Sequence, residues 1–240
     1  MTQKAYLAIL KTGVYLSFLS VFLVSSKLLF PFITTKQLYF NILIEVLFVF
    51  WVAFIIKFPA YRPKKSWISI GLIVYFSAIL ISSFFSVDFN LSFWGDIERM
   101  LGFFHIFHFL VFYFIVITVM RTWNDWRNLM IVSVAAAFLV SLYSFKITFS
   151  TIGNSAYVGG YLIFNIYFAL FLFFKEKNPL ARVAYIAAAL VMLVSLKDTD
   201  VAGAYVGLGA SIFLALLLYG VLNKNKKAKM ISWGALVILI

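Results

Sequence analysis

The chain has no cysteine and only eight acidic residues, and these shortages limit what kind of protein it can be. Without cysteine it can form no disulfide, no thiolate zinc site and no cysteine nucleophile. Charged residues make up 12% of its 240 residues and apolar residues 65%. A soluble domain of this size needs far more charge to cover its surface. Together with a mean hydropathy of +1.05, this composition predicts a membrane protein.

Apolar runs of about 20 residues recur along the chain, and each is long enough to cross a hydrocarbon core about 30 Å thick. We place eight full runs and the start of a ninth at 12–26, 38–56, 67–84, 100–120, 128–146, 157–174, 183–196, 201–222 and from 230 onward. The runs are continuous and do not alternate in polarity, which favours helices over a β-barrel. The predicted fold class is all-α: a polytopic helical membrane protein, with residues 1–240 as one transmembrane domain.

The ninth run is short. Residues 230–240 would form about 16 Å of helix, roughly half of a bilayer. We therefore expect the chain to be the N-terminal fragment of a longer protein, with about eight full transmembrane helices and a truncated ninth.

The basic residues are distributed unevenly between alternate loops. Fifteen of the twenty fall on one side: Lys4, Lys11, Lys57, Arg62, Lys64, Lys65, Arg121, Arg127, Lys175, Lys177, Arg182, Lys224, Lys226, Lys227 and Lys229. The other five are Lys27, Lys36, Arg99, Lys146 and Lys197. The positive-inside rule then puts the N-terminus in the cytoplasm and residues 85–99, 147–156 and 197–200 outside. The basic excess is an orientation signal beside anionic membrane lipids, and we expect no nucleic-acid partner.

Residues 93–109, FWGDIERMLGFFHIFHF, place several polar side chains at the outer end of the fourth run. Helical spacing predicts that Glu98, His105 and His108 share one face. Glu98 and Arg99 could form an interfacial ion pair, with the histidines making interhelical hydrogen bonds. Alternatively, the Arg99 guanidinium could bind a phosphate through two parallel hydrogen bonds. We expect no metal site, because only one carboxylate accompanies the histidines.

Glu45 is the only carboxylate well inside a run, four residues after Asn41 and so on the same helix face. A buried carboxylate needs a partner, so either a packing role or a site role is expected.

Two external loops are further candidates. In STIGNSAYVGGY (150–161), Gly153 and Asn154 favour a tight turn that either merely connects helices or lines a site. In the loop that begins at 196, Lys197 could hold an anion or neutralise neighbouring aspartates.

Several stretches, in this order, resemble the O-antigen ligase family, whose relatives include O-antigen polymerases and bacterial protein O-oligosaccharyltransferases. They are KLLFPFITTKQLYFNILIEVLF, PAYRPKKSW, SVDFNLSFWGDIERMLGFF and IGNSAYVGGYLIF, the last with Ser155 where the family usually has proline. The resemblance implies a GT-C-like, multi-pass protein of the bacterial inner membrane.

Such a protein transfers a glycan from a polyprenyl-pyrophosphate carrier to an acceptor lipid or protein on the outer face, without a metal or cofactor. The implied substrate-binding residues here are Arg99, Lys197, Glu98, Asn154 and Glu45; the catalytic residue is unknown.

Two departures from the family pattern bear on activity. Residues 199–203, TDVAG, have Ala202 where the family has an important arginine. The family's histidine lies in a large later loop that would follow Ile240, and His105 and His108 do not match it. We therefore expect this fragment to be inactive as an enzyme. The alternatives are a transporter or flippase for lipid-linked sugar, and a non-catalytic membrane scaffold derived from the ligases.

Overall fold

The computed structural model describes residues 1–239, which form helices joined by short loops, with no strand among them. The helices are α1 (Gln3–Leu16), α2 (Thr34–Lys57), α3 (Trp67–Phe84), α4 (Phe89–Trp94), α5 (Phe103–Val119), α6 (Trp123–Ser144), α7 (Ser155–Lys175), α8 (Pro179–Asp198), α9 (Ala202–Leu222) and α10 (Lys226–Leu239). Short 3-10 helices cover Ser17–Phe22 and Pro59–Tyr61.

The protein is a polytopic helical membrane protein. By length and composition, 7 helices among the described residues can cross a membrane: α1 with its 3-10 extension, α2, α3, α6, α7, α8 and α9. The remaining predicted full run corresponds to α5, whose 17 residues give about 25 Å of helix. The run predicted to open at 230 begins within α10, which has 14 residues, and its last residue, Ile240, lies outside the described residues.

Polar side chains at the helix starts explain where several helices begin. Thr122 accepts a hydrogen bond from the Asp125 backbone, and the Asp125 carboxylate accepts one from the Thr122 backbone, a reciprocal cap on α6. Asn178 caps α8, which continues with Pro179 at its first position. Such caps satisfy backbone N–H groups that the helix itself leaves unpaired, so the loop sequences fix the helix ends.

The helices pack as two groups. In the first, α1, α2 and α5 enclose a core that includes Leu10, Ile44 and Ile115, and α3 and α4 pack at its edge against α5. In the second, α6, α7 and α8 enclose a core that includes Leu162 and Met192, with α9 and then α10 at its edge. The 3-10 helix after α1 contacts α6, and Lys11 of α1 pairs with Asp125 of α6, so the groups are joined.

The loops contact one another as the predicted alternation requires. Three contacts connect four of the segments rich in basic residues: Lys57 Nζ to Met1 O at 3.2 Å, Arg121 Nη1 to Ala60 O at 2.8 Å, and Arg127 Nη2 to Glu176 Oε2 at 2.6 Å. At the other end of the bundle, the Lys36 amino group donates to Thr151 O at 2.7 Å. Alternate loops therefore lie at the same end of the bundle.

Candidate functional site

Three segments that are far apart in sequence meet around one cavity of about 310 Å³. They contribute residues 30–33, the pair Glu98 and Arg99, and residues 152–154 with Tyr157. We call this space the arginine cavity. It unites three of the stretches that carry the family resemblance, including Arg99, Glu98 and Asn154 from the predicted site.

A closed loop presents Glu98 and Arg99 to the cavity. Its two ends, Gly95 and Gly102, touch through their backbones: a Cβ added to Gly102 would lie 2.1 Å from the Gly95 nitrogen. Gly95 has φ +76°, a conformation that favours glycine. Inside the loop, Asp96 Oδ1 accepts a hydrogen bond from the Arg99 backbone N–H at 2.6 Å. The position of Arg99 is thus set by the backbone of its own loop.

The Arg99 guanidinium has no protein partner among residues 1–239: it makes neither an ion pair nor a side-chain hydrogen bond with them. The predicted ion pair between Glu98 and Arg99 is therefore not formed, although both line the cavity. The prediction that Glu98 shares a helix face with the histidines is also wrong. Glu98 lies in the closed loop, because α5 begins only at Phe103.

The wall opposite this loop is held together by Lys36. Its amino group donates to Phe32 O at 2.8 Å and to Thr151 O at 2.7 Å, and so joins residues 30–33 to the loop before α7. Gly153, with φ +92°, packs directly on Phe32; a Cβ there would lie 2.4 Å from the Phe32 Cβ. The predicted tight turn at Gly153 is present, and it lines the cavity.

Asn154 combines a structural role with its place in the cavity. Its Oδ1 caps α7 by accepting from the backbone N–H groups of Ala156 at 2.8 Å and Tyr157 at 3.4 Å. The N-terminus of a helix carries a partial positive charge. The start of α7 and the Arg99 guanidinium are therefore the positive groups of this cavity, and the Glu98 carboxylate is its negative group.

Glu45 lies elsewhere, at a smaller cavity of about 200 Å³ between α2 and α5. Its Oε1 is 3.3 Å from His108 Nε2, and its side chain is 55% exposed while that of His108 is 7% exposed. The neighbouring His105 Nδ1 is 2.7 Å from Asn41 Nδ2. The predicted interhelical hydrogen bonds of both histidines are confirmed. Glu45 therefore has the polar partner that a carboxylate inside a run needs, on another helix, although more than half of its side chain is exposed.

Lys197 does not line the arginine cavity; it is exposed in the last turn of α8, where its carbonyl oxygen accepts from the Tyr205 hydroxyl. Residues 199–201 turn the chain into α9, and Ala202 is the first residue of that helix. Ala204 then packs on Gly159 of α7, where an added Cβ would lie 2.8 Å from the Ala204 Cβ. Residues 199–204 therefore form the turn into α9 and the contact between α9 and α7.

Sequence reasoning missed Lys36 and Gly102 as parts of the site. Lys36 was one of only five basic residues on its side of the chain, a signal that could have selected it. Gly102 gave no signal by itself, since its role depends on Gly95 seven residues earlier. Among the described residues, no group of three histidine, aspartate or glutamate side chains is placed to hold a metal ion.

The chain was compared with protein-family profiles, with curated proteins and with solved structures, and none of the three comparisons found a match.

Proposed function

We propose that the arginine cavity binds the pyrophosphate of a polyprenyl-linked glycan, and that the protein is the membrane part of a glycan ligase or polymerase. The observation that carries this proposal is the free Arg99 guanidinium, held by a closed loop beside the start of α7. A guanidinium offers two parallel N–H donors to a phosphate, and the N-terminus of α7, whose Ala156 and Tyr157 N–H groups are capped by Asn154, adds positive potential.

The other lining residues suit the remaining parts of such a carrier. Phe30, Phe32 and Tyr157 supply aromatic surface for an isoprenoid chain or a sugar ring. Glu98 would repel a phosphate, and we assign its carboxylate to hydroxyl groups of the first sugar, for which it is a charged acceptor. Lys197 remains a proposed second cation, to be tested separately from Arg99.

In this proposal catalysis is electrostatic. Transfer forms a bond from the acceptor oxygen to the anomeric carbon of the sugar and breaks the bond between that carbon and the pyrophosphate. The pyrophosphate departs with the bonding electrons, and the acceptor's proton passes to a general base, for which we assign no residue. Arg99 and the start of α7 stabilise the negative charge that develops on it. The uneven distribution of basic residues then orients the protein in a bacterial inner membrane, with its N-terminus in the cytoplasm and the arginine cavity outside.

Binding of polyprenyl pyrophosphate without a sugar, in detergent at fixed salt, tests this proposal. Loss of one charge-assisted contact costs about 1.5–3 kcal/mol, so Arg99→Gln should weaken binding about tenfold or more. Glu98→Gln should strengthen it, because a repulsive charge is removed while the size of the side chain is kept. The matched control is Lys146→Gln, which removes an exposed cation on the same predicted side that does not line the cavity.

The test is specific because Arg99→Gln and Glu98→Gln should change the affinity in opposite directions. If Arg99→Gln and Lys146→Gln weaken binding equally, the effect is general charge attraction and the proposed site is wrong. If Lys197→Gln weakens binding as much as Arg99→Gln, Lys197 belongs to the site; if it behaves like Lys146→Gln, it does not.

A further inference from the structure

A cavity of about 400 Å³ lies at the opposite end of the bundle, between the start of α3 and the end of α5. It is lined by Lys64, Ser66, Tyr113, Ile117, Met120 and Arg121, and we call it the lysine cavity. Both of its charged lining residues are basic. It lies at the end where the basic segments meet, and it shares no lining residue with the arginine cavity.

Arg121 is fixed in place by the backbone. Its Nε donates to Thr118 O at 3.0 Å, and its Nη1 donates to Ala60 O at 2.8 Å. Its guanidinium carbon also lies 4.5 Å from the centre of the Tyr61 ring. A third, longer contact runs from Arg121 Nη2 to the carbonyl oxygen of Arg62, at 3.5 Å. A guanidinium has five N–H donors, so three contacts leave two donors for a ligand, in an orientation that is already set.

The hydroxyl groups of the cavity leave one donor unused. Ser69 Oγ lies 2.8 Å from Ser66 Oγ and 2.9 Å from the Tyr113 hydroxyl, so three hydroxyls form a chain. Three hydroxyl hydrogens serve two such bonds, and one hydrogen remains for another acceptor. When the chain runs in one direction, this hydrogen is on Ser66 or on Tyr113, and both of these end residues line the cavity.

The acidic side chain nearest in sequence does not neutralise these cations. Asp125 is paired with Lys11 and accepts hydrogen bonds from Thr122, whereas Lys64 has no hydrogen-bond or ion-pair partner among the described residues. The other lining residues, Ile117 and Met120, are apolar, and α3 exposes Ile70, Ile73 and Val74. Cationic and hydroxyl groups beside an apolar helix surface match a phosphate head group joined to acyl chains.

We propose that the lysine cavity is a specific site for the phosphodiester of an anionic glycerophospholipid, with its acyl chains along α3. Arg121 and Lys64 bind the phosphate oxygens, and the free hydroxyl of Ser66 or Tyr113 donates to one of them. The lipid is the source of the phosphate because the cavity opens beside a helix whose surface is apolar, at the level of helix ends where head groups lie.

Native mass spectrometry of the full chain with equal amounts of phosphatidylglycerol and phosphatidylcholine tests the proposal. We expect one tightly held phosphatidylglycerol per chain. Lys64→Gln should lower the affinity for it about fivefold, as expected for one cation at a lipid head group. Tyr113→Phe, which removes only a hydroxyl, should lower it by a similar factor. The matched control is Lys65→Gln, since Lys65 is exposed and adjacent but does not line the cavity.

Each other outcome overturns the proposal. Equal losses in Lys64→Gln and Lys65→Gln would show that the basic segment attracts lipid without a built site. Equal retention of both lipids would exclude recognition of the anionic head group. Displacement of the lipid by millimolar inorganic phosphate would identify a site for a free anion. Because Lys64 makes no contact that the fold requires, its substitution keeps the test valid even if Tyr113→Phe disturbs folding.

Discussion

Asn41 and His105 form the buried polar contact between α2 and α5: Asn41 Nδ2 lies 2.7 Å from His105 Nδ1. Asn41 Oδ1 accepts a hydrogen bond from Gln37 at 2.8 Å, so the amide nitrogen faces the histidine. The Asn41 amide then donates, and His105 Nδ1 must be the acceptor. This arrangement keeps the proton of a neutral His105 ring on Nε2.

We expect Asn41→Ala to destabilise the protein, because the substitution leaves Gln37 and His105 without their partner inside an apolar bundle. Interhelical hydrogen bonds in membranes contribute about 0.6 kcal/mol on average and up to about 1.7 kcal/mol. A double-mutant cycle with His105→Leu, measured by denaturation in mixed detergent, should give a coupling energy in this range.

Ile42→Ala is the control for that cycle. Ile42 is adjacent to Asn41 but 60% exposed, so its truncation should have little effect on the free energy of unfolding. A coupling energy near zero between Asn41 and His105, with each single variant destabilising, would mean that packing and not the hydrogen bond holds the helices.

Hydropathy and charge predicted the helices and drew attention to Arg99, and turn-forming residues drew attention to Asn154, because these signals are carried by residues close together in sequence. The contacts that build the cavity are of a different kind. Lys36 acts through Thr151, which is 115 residues away. The start of α5 was also missed: the run was expected from residue 100, but Met100 is buried with φ +49° and belongs to the closed loop. Tertiary packing decides such features.

Gly102→Ala should open the closed loop that presents Arg99. The added methyl group would lie 2.1 Å from the backbone nitrogen of Gly95, so the backbone must move. We expect a loss of stability of more than about 1 kcal/mol, together with weaker binding of polyprenyl pyrophosphate. Thermal unfolding and carrier binding in the same detergent measure both effects.

The matched control is Gly71→Ala in α3, where nothing lies within 4 Å of the added Cβ. Alanine is the better helix former, so this variant should be as stable as the parent or slightly more stable. If both glycine variants behave alike, the contact between Gly95 and Gly102 does not hold the loop.

We expect the stability of the protein to depend on pH through Glu176, which follows the end of α7. The backbone N–H of Asn178 and then the Arg127 side chain lower the pKa of Glu176 to about 2. An ordinary glutamate has a pKa of about 4.3 when unfolded. The folded pKa is the lower one, so this interaction contributes full stability above about pH 5 and loses it as the pH falls toward about 2.

Thermal unfolding of the parent and of Glu176→Gln at several pH values measures this contribution. The parent should be more stable at pH 7, and the difference should shrink progressively below about pH 5. A difference that stays constant down to about pH 2.5 would show that the carboxylate charge is not what stabilises the loop between α7 and α8.

The last prediction concerns which end of the bundle faces out. Single cysteines can report it cleanly, since the parent chain has no cysteine that could react. Ile97, 67% exposed, lies in the closed loop beside the arginine cavity, and Lys177 is exposed in the loop between α7 and α8, which Arg127 and Glu176 tie to the basic end. By the positive-inside rule, an impermeant thiol reagent added to intact cells should label Ile97→Cys and not Lys177→Cys, and both should react after the cells are opened.

The reverse pattern would place the lysine cavity outside and the arginine cavity in the cytoplasm. The proposed transfer to an outer-face acceptor would then be wrong, while the lipid site could still be tested by its own variants.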